Sequence, residues 1–306
     1  MKRILALFLG LIFICSVSSC GKPIEKEDKL SIVTTIFPAY DFARAVAGDK
    51  AEITMLLKPG SESHTYEPTP KEAAKIHDAD LFIYNGGEGE NWAQTIISAL
   101  ETENVLSMME CTETLRGEIK EGMELEHHHE EIDEHVWLSL SNAGAIIDAI
   151  KNKISSIDPL NTEVYEENAE NYKAEILKLK ASMEETISNA KRNTIIFADR
   201  FPARYFANEF SLDYYAAFPG CSEKAEASAK TLTFLCAKVK EENISKVFYI
   251  EFSNQKTADA VSEATGAEKL LFHSCHNVSA SDMEKGITYI DLMRSNIQNI
   301  KEALER

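Results

Sequence analysis

The chain has 306 residues, 50 of them acidic and 32 basic, for a net charge of −18. That length is enough for two lobes with their own cores. So acidic a surface repels nucleic acid and attracts cations, which puts a metal-handling role ahead of a phosphate-handling one.

Lys2 and Arg3 precede an almost wholly apolar run, Ile4 to Val17, followed by Ser18, Ser19 and Cys20. Residues 1–19 read as a secretory signal, too short for a comfortable spanning helix. Val-Ser-Ser-Cys is also the pattern of a bacterial lipobox, in which cleavage precedes the cysteine and its thiol takes lipid. The expectation is a mature chain that starts at Cys20 and is anchored to the outer face of the cytoplasmic membrane. Residues 20–29 are polar and charged and read as a flexible tether.

Residues 30–160 form the first predicted lobe. Strands are expected at LSIVTT, AEITMLL, DADLFIYNG and, briefly, Val105 to Met108. Helices are expected from Pro38, from Pro68 to Lys71 onward, over 92–100, and from Ser141 to Ile157 with Ser139 or Ser141 as cap. Between them, 112–134 is highly charged without a clean period and reads as a mobile surface loop; it carries His127, His128 and His129. Residues 161–192 give the longest helical signal: Tyr165, Ala169, Tyr172, Ile176, Leu179, Met183, Ile187 and Ala190 form one apolar stripe. Such a helix can join two lobes.

The second lobe, 193–306, repeats the alternation. Strands are expected at NTIIFA, LDYYAAF, KVFYIEF and AEKLLF. Helices are expected at Pro202 to Glu209, EASAKTLTFLCAKVKEE, Gln255 to Thr265 with Gly266 closing it, and Asp282 to Leu304. The fold class is therefore α/β, with a mostly parallel four-stranded sheet flanked by helices in each lobe. No phosphate-binding glycine run follows a strand; GGEGEN at 86–91 has the glycines, but its glutamates would repel a pyrophosphate.

Open α/β sheets bind ligands beyond the C-terminal ends of their strands. The residues in those loops are His64, His135, Asp199, Glu251, His273 and His276. Two or three imidazoles with one carboxylate make a tetrahedral zinc shell, whereas Mn2+ favours more oxygen. His77 lies inside a helical stretch and reads as structural or solvated. Consecutive His127 to His129 cannot all face one rigid site; they either capture metal loosely or fill the loop. Cys111, Cys221, Cys236 and Cys275 remain beside Cys15 and Cys20; Cys236, in an apolar helix, reads as buried and free. The four allow three full pairings, and the sequence does not choose among them.

PGSESHTYEPTP, DEHVWLS and ITYIDLMRSNIQNIKEAL resemble segments of the metal-binding lipoproteins of bacterial zinc and manganese ABC importers, the ZnuA/TroA-like family. The resemblance covers nearly all of 30–306. It implies two α/β lobes bridged by a long helix, with metal held between the lobes. It carries ligand roles onto His64 and His135. The second half departs from the family pattern: Ala198 in FADRF stands where a ligand is usual, and Ser274 stands where an aspartate is usual. His276 is then the first choice to complete the shell and Asp199 the second, with His273 and Glu251 in reserve. Cys221 and Cys275 resemble a disulfide of some zinc-binding members.

The expected function is capture of a divalent ion outside the membrane, Zn2+ with Mn2+ as the alternative, and delivery to an ABC permease with its cytoplasmic ATPase. A monomer without nucleic-acid partners and without enzymatic chemistry is expected. The rivals are a surface adhesin with structural metal, a metal-chelate binder using Arg200 and Arg204, and a secreted metallohydrolase with Glu251 as base. The last lacks an HExxH pair.

Overall fold

The computed structural model describes residues 29–61, 66–101, 104–124, 132–220 and 226–305. The signal segment, Cys20, His64, His127 to His129 and Cys221 lie outside the described residues.

The first sheet contains β1 (Leu30–Thr34), β2 (Ala51–Met55), β3 (Leu81–Tyr84) and β4 (Val105–Ser107), in the order β2-β1-β3-β4. All its pairings are parallel. Its helices are α1 (Phe37–Ala47), α2 (Pro70–Asp78), α3 (Asn91–Leu100) and α4 (Leu140–Ile157). Pro38 falls in the first turn of α1, where its missing N–H costs nothing. Ser139 caps α4 by accepting the Asn142 amide.

The 28-residue α5 (Thr162–Asn189) crosses between the halves. Its predicted stripe faces inward: Tyr165, Ala169, Ile176, Leu179 and Met183 are buried, and Tyr172, Ile187 and Ala190 are half-buried against the same core. The second sheet contains β5 (Thr194–Phe201), β6 (Asp213–Pro219), β7 (Lys246–Ile250) and β8 (Glu268–Phe272), also parallel, in the order β6-β5-β7-β8. Its helices are α6 (Arg204–Glu209), α7 (Ala229–Glu241), α8 (Lys256–Thr265), α9 (Ala280–Glu284) and α10 (Tyr289–Leu304). One core runs unbroken from Ile32 and Phe42 in the first half through Met183 to Phe206, Phe272 and Leu304 in the second.

Three local expectations change. The closing helix is two helices, because Gly286 takes φ +72 and Thr288 with Asp291 forms a capping box that starts α10 afresh. β5 runs past Ala198 to Phe201 with a register shift between Phe197 and Arg200, so Asp199 sits in the irregular part of the strand rather than after it. Residues 112–124 are not a loose surface loop but a strap laid over the second lobe. Met123 is buried there. The Glu124 amide donates to Ala217 O at 2.9 Å, and Thr231 Oγ1 donates to Gly122 O at 3.0 Å. Lys120 pairs with Asp213, its ammonium 4.2 Å from the Tyr214 ring centroid. Gly122 has φ +89, and a Cβ there would stand 2.0 Å from Phe234 Cδ1, so only glycine lets the strap lie this close.

The expected Cys221–Cys275 bridge falls on a residue outside the described ones. Cys275 is a free thiol, as are Cys111 and Cys236. With φ +61, Cys275 turns its side chain into the core that holds Tyr289, where it is fully buried, and its Sγ lies 3.6 Å from His273 O. Cys236 is half-buried rather than fully buried.

Candidate metal centre

Loops from both sheets meet at one cavity of about 210 Å³, whose wall includes Ser61, His135, Arg200, Glu251, Ser274 and His276. Each wall segment that follows a strand follows its C-terminal end, where ligands of such sheets are held.

His135 is 2% exposed. Asp133 Oδ1 accepts both its backbone N–H, at 2.9 Å, and its Nδ1–H, at 3.0 Å. That bond fixes the tautomer and leaves Nε2 as the lone-pair donor, the arrangement by which a carboxylate orients an imidazole ligand. His276 enters from the turn after β8. Its ring lies 5.0 Å from the Trp137 ring and 5.7 Å from that of His135, at 83° to the latter. A zinc–nitrogen bond of about 2.0–2.1 Å puts a ring centroid about 3.2 Å from the ion, so two imidazoles at a tetrahedral angle have centroids about 5.2 Å apart. The observed spacing is within half an ångström of that figure.

The His276 turn belongs to the second lobe by sequence, yet it is bolted to the first. Phe37 N donates to His276 O at 3.1 Å and Gly60 N to Val278 O at 2.8 Å. Trp137 Nε1 donates to Ser274 O at 2.8 Å. Asn277 Nδ2 donates to Lys58 O and Ser61 O, each at 2.8 Å. His64 follows Ser61 by three residues and lies outside the described residues.

The other candidates are placed apart from these two rings or are already bonded. Asp199 is buried; its Oδ1 accepts the Arg200 amide at 2.8 Å and its Oδ2 the Ile250 amide at 3.3 Å, so it fills the irregularity in β5. His273 is buried too; its Nδ1 accepts the Cys275 amide at 2.9 Å, and Asn296 holds its backbone. Glu251 reaches the cavity wall, but both its oxygens take hydrogen bonds from Ser274, from the amide at 2.7 Å and from the hydroxyl. His77 is exposed on α2 beside Asp78. Among the described residues no three His, Cys, Asp or Glu side chains converge on one point.

The glycine run at 86–89 serves the turn that carries His135. A Cβ at Gly87 would stand 2.6 Å from Glu134 Oε1, and the Gly89 amide donates to that same oxygen at 2.7 Å. Asn85 Nδ2 donates to Glu134 O at 2.9 Å. The buried Glu90 carboxylate accepts the amides of Asn85 at 2.7 Å and Gly86 at 3.0 Å. Burial pushes its carboxyl up to about 7, and the nearby Glu134 charge adds to the rise against the pull of those amides. The folded state therefore holds this proton more tightly than the unfolded chain. The resulting stability is fully present below the ordinary glutamate range and lost as pH rises through about 7. Glu90→Gln is expected to be stabilised relative to wild type by about 3 kcal/mol more at pH 8 than at pH 4.5, at 1.36 kcal/mol per pKa unit. Urea denaturation of both proteins at the two pH values checks this; a difference that does not change with pH rejects it.

Two α/β lobes joined by one long helix, with imidazoles from both meeting in a cleft at the strand ends, define a two-lobed receptor for a small ligand. Residues 32–303 match the family model described as ZnuA: Zinc-uptake complex component A periplasmic. The chain belongs to this family. It is 33% identical over 312 residues to the high-affinity zinc uptake system protein ZnuA of Bacillus subtilis, a match spanning 98% of this chain and 96% of that one. It is 31% identical to the zinc-binding lipoprotein AdcA of Streptococcus pneumoniae, spanning 100% of this chain but 62% of that relative's length. The crystal structure of the metal-dependent lipoprotein YcdH from Bacillus subtilis aligns with a TM-score of 0.78 at 30% identity, over 91% of this chain and 100% of that one. Zn(II)-bound AdcA aligns with a TM-score of 0.77 at 30% identity, over 91% of this chain and 58% of that one. The laminin-binding adhesin of Streptococcus agalactiae, at 24% identity and a TM-score of 0.77, shares the fold.

Proposed function

We propose that this protein is the extracellular receptor of an ABC zinc importer, capturing Zn2+ between its lobes and handing it to the membrane permease. The observation that carries the reading is the pair His135 and His276, one ring fixed through Nδ1 by Asp133 and the two spaced as two imidazoles on one zinc ion would be. His64, in the matching PGSESHTYEP motif, is the proposed third imidazole. Nitrogen-rich donors favour Zn2+ over Mn2+. Asp199 is assigned to holding β5 beside the cleft. Lipid on Cys20 would keep the receptor, as a monomer, at the outer membrane face. Titration of the purified protein by calorimetry is expected to show one tight Zn2+ site and weaker binding of Mn2+. Absence of a tight site, or preference for Mn2+, would overturn the reading.

A further inference from the structure

We propose that Tyr205, on α6 of the second lobe, is a positioning residue for His135 and acts through Asp133; this rests on His135 being a metal ligand. Leu115 and Asp133 face one another at the neck of the strap, beside the antiparallel bridge between Arg116 and Ile132. A regular antiparallel pair exchanges two direct N–H···O bonds. Here one is direct: the Asp133 amide donates to Leu115 O at 2.9 Å. The other is interrupted by a phenol. The Leu115 amide donates to the Tyr205 hydroxyl at 2.9 Å, and that hydroxyl donates to Asp133 O at 2.8 Å. Tyr205 is 2% exposed, so this hydroxyl serves the protein's interior.

The wedge sets where the Asp133 main chain lies, and the Asp133 carboxylate sets the ring of His135. The second lobe also bounds that carboxylate from below. A Cβ at Gly220, just after β6, would stand 3.4 Å from Asp133 Oδ2 and 2.8 Å from Phe201 O. Asp133 is thus held at its backbone by one element of the second lobe and fitted at its side chain against another. A first-lobe imidazole takes its orientation from the opposite lobe, so the donor is ready only when the lobes are in register. Removing the hydroxyl leaves a buried N–H and C=O that either stay unpaired or close directly on each other, and closing shifts Asp133.

Tyr205→Phe removes one oxygen and keeps the ring. In the full chain it is expected to weaken zinc binding about 5- to 10-fold, less than loss of Asp133, which is the direct partner of His135 and falls in the range of about 10- to 100-fold. In an Asp133→Ala background the same change is expected to cost less than about twofold, because the route to His135 is already cut. Nitrogen NMR of the metal-free protein gives a readout independent of zinc: the His135 ring should change from one tautomer, protonated at Nδ1, to a mixture in Tyr205→Phe. A general loss of packing would lower affinity equally in both backgrounds and leave the tautomer alone, and that result overturns the proposal. So does wild-type affinity in a folded Tyr205→Phe protein. Failure of wild type to bind zinc would refute the receptor reading instead, while the tautomer measurement would still decide the role of Tyr205.

Discussion

Replacing His135 by alanine is expected to cut zinc affinity by two to three orders of magnitude. Apparent zinc-binding free energies of about 10–16 kcal/mol, shared over the four positions of a tetrahedral shell, come to about 2.5–4 kcal/mol each, which is about 10²- to 10³-fold. Asp133→Ala should lose less, about 10- to 100-fold, since it frees the ring without removing the donor. His276→Ala should match His135→Ala, because the two rings stand at the spacing of joint ligands. His273→Ala should leave affinity nearly intact, since its Nδ1 serves the Cys275 amide. Competition titration against a chromophoric chelator at pH 7.5 ranks all four. Undiminished binding in His135→Ala would remove the site; a larger loss in His273→Ala than in His276→Ala would move the second-lobe ligand.

The largest stability loss is expected at Asp41, which is fully buried on α1. Its Oδ1 accepts Arg44 Nε at 2.7 Å; its Oδ2 accepts the Tyr289 amide at 2.8 Å, at the N-terminus of α10, and the Tyr172 hydroxyl from α5. One carboxylate therefore joins three helices, and Arg44 extends the junction by donating to Ile287 O at 2.6 Å. Burial pushes the Asp41 carboxyl above its ordinary range; Arg44, Tyr172 and the Tyr289 amide pull it back only in part. Deleting one partner of a buried pair costs about 3–5 kcal/mol, because the remaining groups stay desolvated and unmatched. Asp41→Ala should lose that much in urea denaturation at pH 7. Asp41→Asn keeps an acceptor for the Tyr289 amide and should lose less than half as much. An Asp41→Ala protein as stable as wild type would show that the junction adds nothing.

Much of the fold is legible in the chain because period carries it. Apolar strands alternate with helical stretches in both halves, and the stripe on α5 predicts which of its side chains are buried. The break in the closing helix was also open to reading: Gly286 and the T-x-x-D at Thr288 to Asp291 are a stop and a start in plain sequence. The strap was not, because its partners lie far along the chain; Leu115 meets Tyr205 across 90 positions. His135 stands out through its family motif and His276 through its place after a strand. Asp133 and Tyr205 do not, since a D-x-H spacing and a helical tyrosine are common until the fold brings them together. GGEGEN shows in sequence only the anion its glutamates exclude, whereas in the fold its glycines accommodate Glu134, which is 45 positions away from Gly89.

The junction at Asp41 bears on how the chain is made. Tyr289 is 248 residues downstream of Asp41. At a synthesis rate of about 5–20 residues per second, the ribosome needs about 12–50 s to cover that interval. Throughout it, the Asp41 carboxylate lacks its Tyr289 partner, although α5 brings the Tyr172 hydroxyl to it partway through. Tyr289 also closes over the first lobe by donating its hydroxyl to Trp137 O at 2.7 Å. The first lobe is therefore not finished when its own residues have emerged; it waits for the last helix, and a nascent chain stopped short of α10 holds an incomplete lobe at each end.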